Sequence, residues 1–210
     1  MLPLYAELQV GLTNRVRQVL ELGVPDRRLA TMPAQYEQLL ADRPALRINQ
    51  PGGLTQAEYQ RLSDFRNHFA TLCEQLAGYQ IPASIHHGDF HDGNVFLNQG
   101  RYVFFDWGDS SVAHPFFSMR TVLVSVENTL QIAENAPEFE RLRDAYLEPW
   151  TRYASREYLV VAYLLANCLS PISSALGWYC ALSDLDAPLR NNYAEAVPSL
   201  LKEFLGNVSE

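Results

Sequence analysis

Residues 85–110, IHHGDFHDGNVFLNQGRYVFFDWGDS, interrupt a chain that otherwise reads as helices. Residues 95–97 and 101–105 are two short β-prone runs separated by Asn98, Gln99 and Gly100, a spacing that predicts a hairpin. Residues 84–86 follow Pro82 and are too few for a helix, so they predict a short strand. Any fold for this sequence has to seat a small sheet among helices. That sheet also carries the densest chemistry in the chain, three of the five histidines and four aspartates. The hairpin sets the spacing between the acidic groups before it and those after it.

Upstream, Leu4, Leu8, Leu12, Val16, Val19 and Leu20 recur at helical spacing, and Gly23 with Pro25 supplies a stop. Residues 26–41 predict short helical turns, with Thr31 as a cap and Pro33 early in a helix. Residues 43–54, containing QPGGL, predict a loop. Thr55 and Glu58 stand three apart as a capping box, in which each side chain satisfies a free backbone N–H. Leu62, Phe65, Phe69, Leu72 and Leu76 then form one apolar face that ends at Gly78. Beyond Phe117 helices are expected over residues 119–133, 137–153, 155–182 with a kink at Pro171, and 191–205. No internal repeat or domain boundary is visible. The expected fold is α+β and mostly helical, one domain over residues 1–210 with a small β-hairpin insert.

With 48% hydrophobic residues in 210, the chain can bury roughly 70% of the surface its unfolded form exposes. A formal net charge of −8 argues against nucleic acid as a partner, because neutralising phosphates needs a basic footprint. Three cysteines, Cys73, Cys168 and Cys180, form no CxxC pair and no even framework, which suits a reducing, cytoplasmic setting. No basic leader with a cleavage site is seen, so no signal peptide is expected. Residues 158–183 carry no charge and by length alone reach across a bilayer. Asn167, Pro171, Gly177 and several serines favour instead a buried core element and no membrane partner. The cations are fifteen arginines and one lysine, Lys202.

Within the dense stretch, HGDFHDGN places His87, Asp89 and Asn94 ahead of the hairpin, and FFDWGD places Asp106 after it. A carboxylate, an amide oxygen five residues on and a second carboxylate make a sensible set of one base and two hard oxygen ligands. Mg²⁺ prefers such donors and takes its remaining ligands from water and substrate phosphates. Phosphoryl transfer needs the nucleophile oriented, its proton accepted and the phosphate charge neutralised. Zinc is disfavoured at His86, His87, His91, Asp89 and Asp92, because Gly88 and Gly93 oppose the helix that would bring His87 and His91 to one face.

The pattern HxDxxxxN at His87, Asp89 and Asn94, followed by the DxG-type element Asp106, Trp107 and Gly108, resembles the aminoglycoside phosphotransferase and choline kinase group of protein-kinase-like enzymes. The resemblance implies the C-terminal lobe of that fold, with ATP as co-substrate and transfer of its γ-phosphate to a hydroxyl of a small molecule, aminoglycoside-like, an amino alcohol or a sugar. It implies Asp89 as catalytic base, Asn94 and Asp106 as holders of Mg²⁺ and through it the nucleotide, and His87 as support of the loop. His91 is taken as a phosphate contact. Asp92 and Asp109 are expected to cap turns, and Trp178, Tyr179 and Asp184 are candidates for the acceptor pocket, with Glu127 a further acidic group. The first lobe, with its Gly-rich phosphate-covering loop and strand lysine, is expected to be absent. The chain then reads as a truncated kinase, or as one whose partner supplies that lobe, with exposed apolar surface favouring self-association. The competing reading is a non-catalytic pseudoenzyme or small-molecule binding module.

Overall fold

The computed structural model describes residues 1–131, 136–183 and 185–208. In chain order its helices are α1 (Leu2–Leu12), α2 (Val16–Glu21), α3 (Met32–Ala41), α4 (Arg43–Leu46), α5 (Gln56–Asp64) and α6 (Arg66–Gly78). They continue with α7 (Ser118–Leu130), α8 (Pro137–Leu147), α9 (Arg156–Ser183), α10 (Ala187–Asn192) and α11 (Ala196–Asn207). The strands are β1 (Asp26–Arg27), β2 (Ser84–His86), β3 (Val95–Asn98), β4 (Arg101–Phe104) and β5 (Ser111–Ala113). The protein is therefore mostly helical with two small sheets, the expected α+β class.

Two compact units are built from interleaved segments, Met1–Arg28 with Ala77–Asn167, and Leu29–Leu76 with Cys168–Glu210. In the first unit a three-stranded sheet has the order β1-β5-β2. β5 runs parallel to β1 and antiparallel to β2, with Ile85 opposite Val112 and His86 opposite Ser111. All residues of β2 and β5 are buried. The separate β3–β4 hairpin pairs Val95 with Phe104 and Asn98 with Arg101. Its turn has two residues, Gln99 and Gly100, both at positive φ (48° and 77°). That is the backbone twist a tight antiparallel hairpin prefers.

The first helical run is not continuous. A tighter turn, Thr13–Arg15, separates α1 from α2, where the Thr13 hydroxyl donates back to the Val10 carbonyl at 2.9 Å and competes with the helical ladder. Residues 26–27, expected as helical turns, are instead β1. Gly23 ends α2 at φ +89°, and the Pro25 carbonyl accepts the Val112 N–H at 2.9 Å, which draws the next two residues alongside β5. Residues 43–46, expected as loop, form α4, started by Asp42 accepting the Ala45 N–H at 3.3 Å.

The second unit follows its sequence cues more closely. Thr55 and Glu58 form the capping box, Glu58 N–H to Thr55 Oγ1 at 3.1 Å and Thr55 N–H to Glu58 Oε2 at 2.7 Å. The apolar face beyond it is shared between α5 and α6, with Phe65 between them. Tyr36, Phe69 and Phe204 pack as a ring cluster, Tyr36 to Phe69 at 4.7 Å and Phe69 to Phe204 at 5.8 Å between centroids. Each buried ring contributes roughly 1.5–3 kcal/mol by leaving water.

α9 runs as one helix through Pro171. It is the one helix among the described residues long and apolar enough to cross a membrane, and 61% of its most apolar window is buried inside the protein. The expected helix over 119–133 is α7 up to Leu130, and its positions 132 and 133 lie outside the described residues. The last expected helix, 191–205, is two elements, α10 and α11. Asp186 caps α10 by accepting the Leu189 N–H at 3.2 Å.

Candidate active site

β2 carries the chain into the polar loop, and a buried network behind it holds it in place. Gln9 of α1 donates to the Ile85 carbonyl at 2.8 Å and accepts the Tyr146 hydroxyl at 2.6 Å. Ser118 Oγ meets the Tyr5 hydroxyl and His86 Nδ1, both at 2.9 Å. Burial pushes His86 down from 6.5 to about 3, with Arg27 and then His87 adding to the shift. Burial likewise drives the Tyr5 hydroxyl well above the ordinary tyrosine range. Both groups are therefore uncharged parts of the core. Tyr5 also accepts the His87 N–H at 3.2 Å, so α1 grips the residue from which the loop departs.

His87 is fully buried. Its Nε2 donates to the Phe105 carbonyl at 2.9 Å, which places the proton of the neutral ring on Nε2 and leaves Nδ1 buried without a partner. The ring also lies 4.6 Å from Trp107. One side chain thus ties the segment before the hairpin to the segment after it. Gly88 makes the approach closer still. At φ +86° a Cβ there would stand 2.3 Å from the Asp109 carbonyl oxygen, so the crossing of the two segments requires glycine.

Asp89 and Asn94 face each other across the loop. Asn94 Nδ2 donates to the Asp89 carbonyl oxygen at 2.8 Å and to its carboxylate Oδ2 at 3.2 Å. The amide oxygen of Asn94 is left with no hydrogen bond among the described residues. His91 approaches the same carboxylate oxygen. Gly93 N–H donates to His91 Nδ1 at 3.0 Å, so the proton of the neutral ring sits on Nε2, which lies 3.4 Å from Asp89 Oδ2. Oδ2 accepts from Asn94 with His91 nearby, while Oδ1 of Asp89 has no partner among the described residues.

Asp106 follows β4 with φ +62°, a conformation that costs a non-glycine residue of order 1 kcal/mol or more. Its side chain is exposed and makes no hydrogen bond or ion pair among the described residues. The Phe105 N–H donates to the Asn94 carbonyl at 3.2 Å, so the backbone entering Asp106 is bonded to Asn94 itself. An amide oxygen and a carboxylate, both without protein partners and joined through one backbone bond, fit a hard divalent cation that keeps waters and phosphate oxygens. Among the described residues, no three His, Cys, Asp or Glu side chains gather as a metal-binding group.

The remaining candidates fall elsewhere. Asp92 accepts from Ser125 at 2.8 Å, which holds its carboxyl below the usual range, and it begins the short turn Asp92–Asn94. Glu127 is exposed on α7. Trp178 stacks near Tyr193 at 5.4 Å, and the Tyr179 hydroxyl donates to Asp42 at 2.9 Å, all within the second unit. Asp184 lies outside the described residues. Tyr5, Gln9 and Ser118 support the loop without having been singled out from the sequence. The one hint was Gln9, a polar residue one helical turn from Tyr5 on the apolar side of α1.

A sequence model of the phosphotransferase enzyme family, APH, matches residues 7–158, the span that contains the whole loop and hairpin. No individual curated protein matches the chain.

Proposed function

Because the chain belongs to the phosphotransferase enzyme family, we propose that the loop and hairpin supply the base and the metal ligands of an ATP-dependent transfer to a small-molecule hydroxyl. The observation that carries this reading is the asymmetry of the Asp89 carboxylate. Asn94 donates to Oδ2, and Oδ1 is left to accept the proton of the acceptor hydroxyl, which orients that hydroxyl for attack. His91 Nε2, 3.4 Å from Oδ2, adds a polar neighbour on that side of the carboxylate.

Asn94, through its amide oxygen, and Asp106 would hold Mg²⁺. The bound ion would bridge phosphate oxygens and neutralise charge on the transferring group. His87 fixes the distance between base and ligands by joining the loop to the Phe105 carbonyl. This is a positioning role.

The nucleotide clamp of a protein-kinase-like fold needs a Gly-rich hairpin and a strand lysine. The single lysine here is Lys202, in α11. On this reading the 210 residues act as a kinase-like C-terminal lobe, and the clamp comes from a segment or partner outside them. The hairpin leaves Phe96, Leu97, Tyr102, Val103 and Phe105 exposed, an apolar surface suited to such a lobe or to self-association. Three unpaired cysteines fit a cytoplasmic setting. The missing clamp lysine also favours a second reading, a non-catalytic module that keeps the loop for recognition.

Mg-ATP titrated calorimetrically into the chain is expected to bind no tighter than about 1 mM, with no steady turnover. Micromolar binding would overturn the divided site. In a form that turns over, Asp89→Asn should lower kcat by about 10²–10⁴ with ATP affinity unchanged. Asp106→Asn should abolish the line broadening that Mn²⁺ causes at amides near Asn94. Retained kcat in Asp89→Asn would defeat the base assignment.

A further inference from the structure

The second unit contains a cleft of about 330 Å³ bordered by Asp42, Arg47, Tyr179 and Arg190. Its carboxylate is already engaged, Oδ1 by the Ala45 N–H at 3.3 Å and Oδ2 by the Tyr179 hydroxyl at 2.9 Å. Its two guanidinium groups are not matched in this way. Neither Arg47 nor Arg190 forms an ion pair among the described residues. Arg190 donates Nε to the Leu182 carbonyl at 3.0 Å, and Nη2 to those of Ser183 and Leu185 at 3.4 and 2.8 Å. These bonds fix the plane of the group and leave Nη1 without an acceptor among the described residues.

Arg47 is more unusual. Its Nη2 reaches the Pro51 carbonyl at 3.3 Å, but its Nε is buried with no acceptor among the described residues. Its backbone is held at φ +50° by the Pro44 carbonyl, which accepts its N–H at 3.2 Å, and by the Gln50 N–H, which donates to its carbonyl at 2.9 Å. Backbone strain and an unsatisfied buried donor each cost of order 1–3 kcal/mol, and such costs gather where a ligand is bound. In a chain of net charge −8, the two arginines outnumber the one carboxylate, Asp42, among the described residues that line the cleft.

We propose that this cleft binds a small amphipathic oxyanion, a carboxylate or phosphate monoester, with its charged oxygens on Arg47 and Arg190 and its apolar body on Pro44, Leu182 and Val197. Guanidinium forks match the paired oxygens of both headgroups, and a largely apolar wall with a few polar groups is the usual form of a small-molecule site. The proposal is independent of the phosphotransfer reading, since every residue it uses belongs to the second unit.

The test is titration of the full chain, by calorimetry, with phenyl phosphate, benzoate and the neutral benzyl alcohol. At least one anion is expected to saturate with Kd on the order of 0.1–1 mM, the tighter of the two identifying the headgroup, and benzyl alcohol should bind about tenfold more weakly or worse. Arg47→Gly removes the guanidinium at a backbone angle glycine accepts, so it should fold with unchanged Tm and weaken the anion at least about tenfold. Arg190→Met is expected to do the same. The double variant D89N/D106N should bind as the unaltered chain does, which separates the cleft from the candidate active site. No saturation below about 10 mM, equal binding of benzyl alcohol, or loss in D89N/D106N with Arg47→Gly unaffected would each overturn the proposal.

Discussion

Mild acid should destabilise this protein through two histidines that the core keeps neutral. His86 and His114 are almost completely buried. Desolvation lowers both from 6.5 to about 3, with Arg27 and His87 adding to the effect at His86. The unfolded chain takes up a proton at each near pH 6.5, whereas the folded chain takes none until about pH 3. The folded state is therefore favoured fully above pH 6.5, and stability falls as pH drops through the window from 6.5 to 3. Between pH 7 and pH 5 linkage gives about 2 kcal/mol per histidine, about 4 kcal/mol for the pair. Carboxylates held below their ordinary values, such as Asp92 and Asp144, add their own loss only below about pH 5. Urea unfolding at pH 7 and pH 5 measures the difference directly, with unchanged m-values showing that the same surface is exposed. In the double variant H86N/H114N most of this pH dependence should vanish, whatever the variant's stability at pH 7. A loss under about 1 kcal/mol in the unaltered chain, or an equal loss in the variant, would refute the reasoning.

Two further outcomes follow from single positions. Gly88→Ala sets a Cβ against the Asp109 carbonyl at positive φ and should cost about 3 kcal/mol or more, read by urea unfolding; stability equal to the unaltered chain would rule out the close crossing. Thr55→Ala removes the acceptor for the Glu58 N–H and should cost about 1 kcal/mol, read as a lowered Tm, while Thr55→Ser should restore most of it.

What could be read in advance was what local chemistry determines. The hairpin was legible because its turn residues and its β-prone flanks lie within ten positions, and the capping box because its two partners are three residues apart. β1 and β5 were not, since strands of two and three residues carry no period and form only by long-range pairing, β1 with β5 at positions 26 and 112 and β5 with β2 at positions 112 and 85. α4 was hidden for a similar reason: a four-residue helix is defined by its Asp42 cap and not by any apolar stripe. At the candidate site, the motif named Asp89, Asn94 and Asp106. It could not say that His91 Nε2 comes within 3.4 Å of the Asp89 carboxylate, or that His87 bonds the Phe105 carbonyl. Those are three-dimensional facts set by the tautomer each backbone partner selects. The network behind β2 joins Gln9 to Ile85 and Tyr146 across separations of 76 and 137 residues, which no short-range pattern encodes.

The same network bears on how the molecule is made. α1 precedes its partners in the chain, and the acceptors and donors for its buried Gln9 and Tyr5 reside in residues up to Tyr146. At ribosomal rates of about 5–20 residues per second, the helix waits roughly 7–30 s for its last partner. During that interval its apolar stripe stays uncovered, and β1 has no strand to pair with until Val112 emerges. The polar loop thus assembles late and from distant parts of the chain, a high-contact-order step. Strengthening α1 alone, or closing β1 onto β5 once Val112 has emerged, would leave that delay unchanged, because translation sets it.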